Sequence, residues 1–238
     1  MRLDDPEVVR AEYASEVGLE SRASIYRGLA GPDAREVAFE AIAEAAPANI
    51  LEVGCGPGEL AARLRAQVTA NLVAVDISPR MVELARARGV EAVVGDVCAL
   101  PFESQSFDCA VANWMLYHAS DIEAALAELA RVLRAGGRLV ATTNSTRHLE
   151  ELWALVGQET ADEPCHFSAE DGAQLLRRHF ARVSRRDVVG RISFDADGAR
   201  RYIGSSVVRK HLADRVPELP EPLVATRRCT VFVAETAS

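Results

Sequence analysis

Short apolar runs alternate with stretches of helical period through the first two-thirds of the chain. An apolar run from Ile50 ends at Glu52 and leads through a glycine-rich turn into a helical stretch, Glu59 to about Gln67. Leu72–Val75 is a second apolar run ending in Asp76, and Ala92–Gly95 a third ending in Asp96. Phe107–Ala112 forms a fourth, closed by Asn113. Runs of four to eight apolar residues bounded by turn signals read as buried strands. Ser78-Pro79 opens a helix with a cap residue and a first-turn proline. Ile122, Ala125, Leu126, Leu129, Val132 and Leu133 fall on one helical stripe, and Ser120 and Glu123 have the spacing of a capping box before it. A turn at Arg134–Gly137 and a fifth strand over Arg138–Thr142 follow. Strands alternating with helices predict a parallel sheet covered on both faces.

The ends differ. Residues 1–45 are helical by pattern and form a lid or outer layer, which leaves 46–238 as the main domain. Near the other end, Arg182–Val189 and Arg227–Ala234 read as two strands, with a helix over Asp195–Arg209 between them. Pro217, Pro220 and Pro222 mark an irregular loop before the last strand.

The densest signal is Ile50-Leu-Glu-Val-Gly-Cys-Gly-Pro-Gly58. Glycines at a strand–helix junction let backbone approach a ligand, and the helix N-terminus offers unpaired N–H groups. Glu59 stands where a dinucleotide fingerprint needs its third glycine. The turn resembles motif I of the class I S-adenosylmethionine (SAM) dependent methyltransferases. Asp76, Asp96, Asn113 and the Arg131–Thr142 helix–turn–strand follow in that family's order. The resemblance implies an α/β, Rossmann-like fold: a mostly parallel seven-stranded sheet, helices on both faces and an antiparallel closing strand.

It also implies SAM as cofactor, with Glu52, Gly54, Cys55, Gly56 and Gly58 around its methionine portion. Asp76 falls at the ribose, Asp96 and Val97 at the adenine, and Asn113 and Trp114 near the sulfonium, with Ile77 and Met81 as further cofactor-binding residues. In an open parallel sheet, ligands lie beyond the carboxyl ends of the strands. Acceptor-side candidates are therefore Tyr117, His118, Asn144 and Trp153, joined by Tyr13 and Tyr26 from the lid. Glu16, Leu19, Glu20 and Arg22 lie in the same lid run. An imidazole titrates near neutrality, so His118 and His166 are the candidate bases. The competing readings are that His118 orders its loop and that Trp153 is core.

Charge and cysteines narrow the function. A formal charge of −8 disfavours nucleic acid. The basic run Arg177-Arg178-His179 with Arg182, Arg185 and Arg186 reads as solvated surface. Five cysteines without a CxxC pair suit reduced thiols, and Cys55 and Cys109 are not read as nucleophiles. No apolar run reaches membrane-span length and Met1–Pro6 lacks a signal core, so the expected location is cytoplasmic, with no membrane partner.

The run Asn113-Trp-Met-Leu116 lacks the prolines of the enzymes that methylate exocyclic base amines. Asn113 and Thr143-Asn144 are too few hard anionic ligands for Mg²⁺, so no metal is expected. Pro164-Cys165 lies too late in the chain to be the nucleophile of a cytosine-C5 enzyme. The expectation is metal-independent, in-line methyl transfer to a small-molecule acceptor, at oxygen or nitrogen in preference, like quinone-biosynthesis and natural-product enzymes. The alternatives are a non-catalytic SAM-binding partner subunit, an NAD(P)-dependent oxidoreductase, and an RNA or protein methyltransferase. An apolar lid also suits a homodimer interface.

Overall fold

The computed structural model describes residues 4–14, 17–24, 31–158 and 166–238. Tyr26, Glu16, Pro164 and Cys165 lie outside the described residues. The helices are α1 (Pro6–Glu12), α2 (Val17–Ser24), α3 (Ala34–Ala43), α4 (Glu59–Gln67), α5 (Pro79–Ala87), α6 (Ile122–Val132), α7 (Glu150–Ala154), α8 (Gly172–Leu176) and α9 (Ala196–Gly204). The strands are β1 (Asn49–Val53), β2 (Asn71–Asp76), β3 (Glu91–Val94), β4 (Phe107–Asn113), β5 (Leu133–Asn144), β6 (Arg182–Phe194) and β7 (Leu223–Glu235).

They form one seven-stranded sheet in the order β3-β2-β1-β4-β5-β7-β6. Neighbours from β3 to β5 pair in parallel, and β7 runs antiparallel to both β5 and β6. The order reverses between β1 and β4, which opens a crevice at the carboxyl ends of the strands. One sheet face buries Leu126, Leu129, Phe167 and Phe232. The other buries Ala38, Ile42, Leu64, Val82 and Ala85 against Ile50, Val231 and Val233. Helix α3 thus packs in the core, and a lid boundary at residue 45 cuts it from the sheet it covers. Only α1 and α2 remain for a lid.

Several local expectations are corrected. The cap of α6 is Asp121, whose carboxylate accepts the Ala124 amide, in place of Ser120. Strand β5 starts at Leu133: Leu133 pairs with Phe107, the register then shifts, and Arg138 pairs with Cys109. Gly136 supplies a φ of +71° inside that shift. Strands β6 and β7 are longer than their central hydrophobicity predicts. They pair continuously from Arg182↔Glu235 to Phe194↔Leu223. Their distal ends bury Ile192, Phe194 and Ala225 in a third cluster with Leu152, Trp153 and Ile203. Helix α9 stops at Gly204.

All of the basic run but Arg177 has an acidic partner among the described residues. Glu123 holds both Arg178 and His179, Glu235 holds Arg182, Asp187 holds Arg185, and Glu44 holds Arg186. Among the described residues, no helix is long and apolar enough to cross a membrane.

Candidate active site

A cavity of about 710 Å³ lies at the carboxyl ends of β1, β2, β4 and β5. The turn after β1 enters it with Gly54 at φ +67° and Gly56 at φ +53°. A Cβ on Gly54 would stand 2.6 Å from Met115 Cβ, so the β1 turn and the loop after β4 touch only because residue 54 has no side chain. Gly58 caps α4 in the left-handed region at φ +80°. It does not line the cavity; a Cβ there would meet Ala85 at 2.9 Å, so its role is the close approach of α4 to α5.

Two carboxylates face this turn. Asp76 Oδ2 accepts the Gly56 amide at 2.8 Å and Oδ1 accepts the Ser78 amide at 2.9 Å, which fixes the carboxylate at the end of β2. Burial raises its pKa, and the two amides oppose that. Glu52 is more extreme. It is 4% exposed, and its Oε2 is buried without a hydrogen-bond partner among the described residues. Burial first, then the charge of Asp76, pushes its pKa up to about 8. A buried carboxyl with one oxygen unsatisfied, beside a second acid, suits a ligand that brings positive charge.

Cys55, Ile77, Asp96, Val97, Asn113 and Trp114 also line the cavity. Burial raises the Cys55 thiol strongly, with Glu52 and Asp76 adding to it, so it is no thiolate. Asp96 Oδ1 accepts the Cys98 amide at 2.9 Å, shaping the turn after β3. Asn113 Oδ1 accepts from Thr142 Oγ1 at 2.6 Å. Met81 is corrected: it is fully buried in the core and does not line the cavity.

The loop after β4 carries the polar chemistry. Trp114 has a φ of +51°, a conformation that costs an L-residue about 1–2 kcal/mol. Its backbone amide donates to the Thr142 carbonyl at 2.7 Å, and its indole Nε1 donates to Asn144 Oδ1 at 3.0 Å. A single 3-10 turn, Leu116–His118, follows and buries Leu116 in the core. That burial turns Tyr117 and His118 to the cavity. The Tyr117 and His118 rings meet edge-on at 4.5 Å.

The end of α1 meets this loop directly. Tyr13 Oη lies 3.0 Å from His118 Nε2, and the Tyr13 carbonyl accepts from Ser78 Oγ at 2.9 Å. Burial raises the Tyr13 phenol above its ordinary pKa, while Arg22, 5.9 Å from the ring centre, opposes the shift. Arg22 Nη1 bonds Glu12 Oε1 at 2.6 Å and the Ser205 carbonyl at 2.9 Å. The other Glu12 oxygen accepts the Val207 amide at 2.7 Å. Helices α1 and α2 are thereby tied to the segment after α9, with Leu19, Glu20 and Arg22 facing the cavity.

Two expected residues stand elsewhere. His166 does not line the cavity; its Nε2 pairs with Asp4 at 2.7 Å, which ties the segment before α8 to the residues before α1. Trp153 is 7% exposed in the third cluster, against Tyr202 and under the Arg209 guanidinium. His148 is also structural: its Nδ1 lies on the Arg228 backbone, and burial drops its pKa to about 4. Conversely, Val188 and Gly190 of β6 and Arg227 and Cys229 of β7 line the cavity, although hydropathy marks Val188, Arg227 and Cys229 only as strand and ends that strand before Gly190. Strand register was the missing signal: Cys229 lies opposite Asn144, and Arg227 is two residues along on the same face.

Residues 51–141 match the family model described as a methyltransferase domain. Over 113 residues, 44% of the chain, it is 39% identical to a demethylmenaquinone methyltransferase of Thermus thermophilus and covers 51% of that protein. A malonyl-[acyl-carrier protein] O-methyltransferase of Hahella chejuensis is 40% identical over 114 residues, 46% of the chain and 41% of the relative. The chain spans about half the length, or less, of these curated relatives. Among solved structures, the [4+2]-cyclase SpnF superposes with a TM-score of 0.65 at 18% identity, covering 96% of this chain and 95% of its own. A phosphoethanolamine N-methyltransferase of Haemonchus contortus, solved with S-adenosylhomocysteine, gives 0.65 at 16% identity over the whole chain and 61% of its own. The sheet order is that of the methyltransferase-like solved structures, and residues 51–141, which carry the glycine turn and its two acids, match a methyltransferase domain.

Proposed function

We propose that the chain binds SAM at the glycine turn and catalyses methyl transfer to a small-molecule acceptor. The observation that carries this reading is Glu52, a buried carboxylate with an oxygen that no described residue satisfies, beside a backbone turn too tight for side chains. SAM carries an ammonium and a sulfonium, so its charge complements Glu52 and Asp76. Asp76 holds the ribose, Asp96 and Val97 flank the adenine, and Asn113 and Trp114 stand towards the sulfonium. A bound sulfonium supplies an already activated methyl group, so the protein's task is to orient the acceptor and manage its proton.

Orientation falls to Trp114, Tyr117 and Asn144 and to the lid. Holding the two partners in line contributes roughly 7–11 kcal/mol of the barrier reduction in well-oriented systems. Helices α1 and α2 cover the cavity and exclude water. The Tyr13–His118 pair takes the acceptor proton, with His118 Nε2 as its resting place. Burial keeps the Tyr13 phenol protonated at neutral pH, so it relays and positions. An acceptor hydroxyl or protonated amine fits this pair. The small-molecule class is supported by the concave cavity and by relatives named as a demethylmenaquinone methyltransferase and a malonyl-[acyl-carrier protein] O-methyltransferase. The fold alone does not fix the reaction, since SpnF has it and is described as a cyclase.

Calorimetric titration with S-adenosylhomocysteine, with NADH as the control ligand, tests the reading. Micromolar binding of the first alone supports it. Binding of NADH, or of neither, removes it.

A further inference from the structure

The last carbonyls of a helix have no partner within it. In α1 that end is Tyr13, and its partner comes from 65 residues away: Ser78 Oγ donates to the Tyr13 carbonyl at 2.9 Å. The same oxygen accepts the Met81 amide at 3.4 Å as the N-cap of α5. A hydroxyl donates and accepts at once, so one side chain joins the end of α1 to the start of α5. Ser78 itself is 2% exposed.

Ser78 also stands beside the acid assigned to the cofactor. Its backbone amide donates to Asp76 Oδ1 at 2.9 Å, and the Gly56 amide of the glycine turn donates to Oδ2 at 2.8 Å. At the other end, Tyr13 Oη lies 3.0 Å from His118 Nε2. Each member of the row Gly56, Asp76, Ser78, Tyr13, His118 is thus hydrogen bonded to the next. Asp76 is also within electrostatic reach of the phenol. Burial raises the Tyr13 pKa, Arg22 opposes that, and the charges of Glu12 and Asp76 add to it. The second tie of α1, through Glu12 and Arg22, leads instead to Ser205 and Val207.

We infer that Ser78 is a positioning residue: its hydroxyl makes the placing of Tyr13 on His118 depend on the ligand held at Asp76. This rests on the proposed methyl transfer and adds an order to it, in which SAM prepares the proton-handling pair for the acceptor. A ribose bonded to the Asp76 carboxylate fixes the turn after β2, and that turn carries Ser78. Ser78 in turn fixes the end of α1, and with it the Tyr13 side chain. The anchor is a backbone carbonyl, so the link does not need the Tyr13 phenol.

Hydrogen exchange with and without saturating S-adenosylhomocysteine tests the link. In the wild type the ligand is expected to slow exchange over residues 9–14 by about fivefold or more, the low end of ordinary coupling between two sites. Ser78→Gly removes the hydroxyl but keeps the backbone amide on Asp76, and glycine loses little as a helix cap. That variant is expected to bind S-adenosylhomocysteine, to keep wild-type exchange over α5, and to lose the ligand-dependent protection of residues 9–14. Coupling is reciprocal, so its affinity weakens by no more than the factor that the protection loses. Ser78→Thr, which keeps a hydroxyl, and Tyr13→Phe, which keeps the carbonyl, both retain the protection. The link is overturned if the wild type binds the ligand without protecting residues 9–14, or if Ser78→Gly keeps that protection. Loss of protection in Ser78→Thr or Tyr13→Phe overturns it too, as does a larger loss of affinity in Ser78→Gly than coupling allows. Faster exchange over α5 in Ser78→Gly would make Ser78 a helix cap alone. Each of these outcomes leaves the methyltransferase reading in place. Failure of S-adenosylhomocysteine to bind the wild type removes that reading and the link with it.

Discussion

Tyr13 Oη and His118 Nε2 are 3.0 Å apart although 105 residues separate them in sequence. One comes from the end of the lid helix α1, the other from the turn after β4. The same contact joins α1 to the loop after β4 beside the cavity and, on the proposed function, forms the proton-handling pair. Removing the phenol oxygen should therefore cost turnover without touching cofactor affinity. Tyr13→Phe and His118→Ala are each expected to lower turnover by about 10²–10⁴-fold. In a coupled pair the double variant loses little more than either single one. S-adenosylhomocysteine affinity stays within threefold. Full turnover of His118→Ala at every pH would show that His118 is not the base.

Glu52 ties cofactor binding to pH. Its carboxyl is pushed up to about 8 by burial and by Asp76. At neutral pH it is largely protonated before the ligand arrives. A ligand ammonium prefers the ionised form, so binding releases a proton. Affinity for S-adenosylhomocysteine should tighten between about pH 6 and 8, by at most a decade per pH unit, and level off above. Calorimetry in buffers of different ionisation enthalpy reads the released proton directly. The raised pKa has the opposite effect on the unliganded fold. Its contribution to stability is complete below the ordinary carboxyl range and is lost as pH rises through about 8. Glu52→Gln should remove both dependences, and a flat affinity profile in the wild type would exclude the assignment.

The two outer glycines of the turn separate affinity from stability. Gly54→Ala puts a Cβ 2.6 Å from Met115 at a φ of +67°, on the cavity wall itself. Gly58→Ala puts one 2.9 Å from Ala85, between α4 and α5 and away from the cavity. Overpacking of this kind costs about 1–3 kcal/mol. Both variants should melt earlier. Only Gly54→Ala should also lose S-adenosylhomocysteine affinity by tenfold or more. Equal losses of affinity would mean that Gly58 touches the ligand after all.

The parallel half of the sheet was legible in the sequence because local signals agree there. Asp76 and Asn113 each end an apolar run and close β2 and β4, and Glu52 stands one residue before the end of β1. What could not be read depends on long-range register. Arg227 and Gly190 face the cavity only because β6 and β7 pair residue for residue. His166 and Trp153 follow strand five as a pocket residue would. The first is drawn to Asp4, and the second fills the core under the β6–β7 tip. Asp121 caps in place of Ser120: its carboxylate accepts the Ala124 amide, one residue beyond the Glu123 amide that a Ser120 cap would take.

The clamp between lid and body makes the last prediction. Glu12 is 7% exposed and shares its two oxygens between Arg22 and the Val207 amide, while Arg22 also donates to the Ser205 carbonyl. Gly18 allows the approach, since a Cβ there would lie 2.6 Å from that carbonyl. Arg22→Met strands the Glu12 carboxylate, a loss of about 3–5 kcal/mol for a buried pair. That energy belongs to a local contact, because α1 and α2 lie outside the two sheet-facing clusters. The lid should open while the core stays folded. Hydrogen exchange is expected to rise over α1 and α2 and remain unchanged over β1, β4 and β5. Turnover should fall with it, since Tyr13 leaves His118 when α1 lifts. Exchange rising uniformly across the sheet would mean that the clamp holds the whole fold and not a lid.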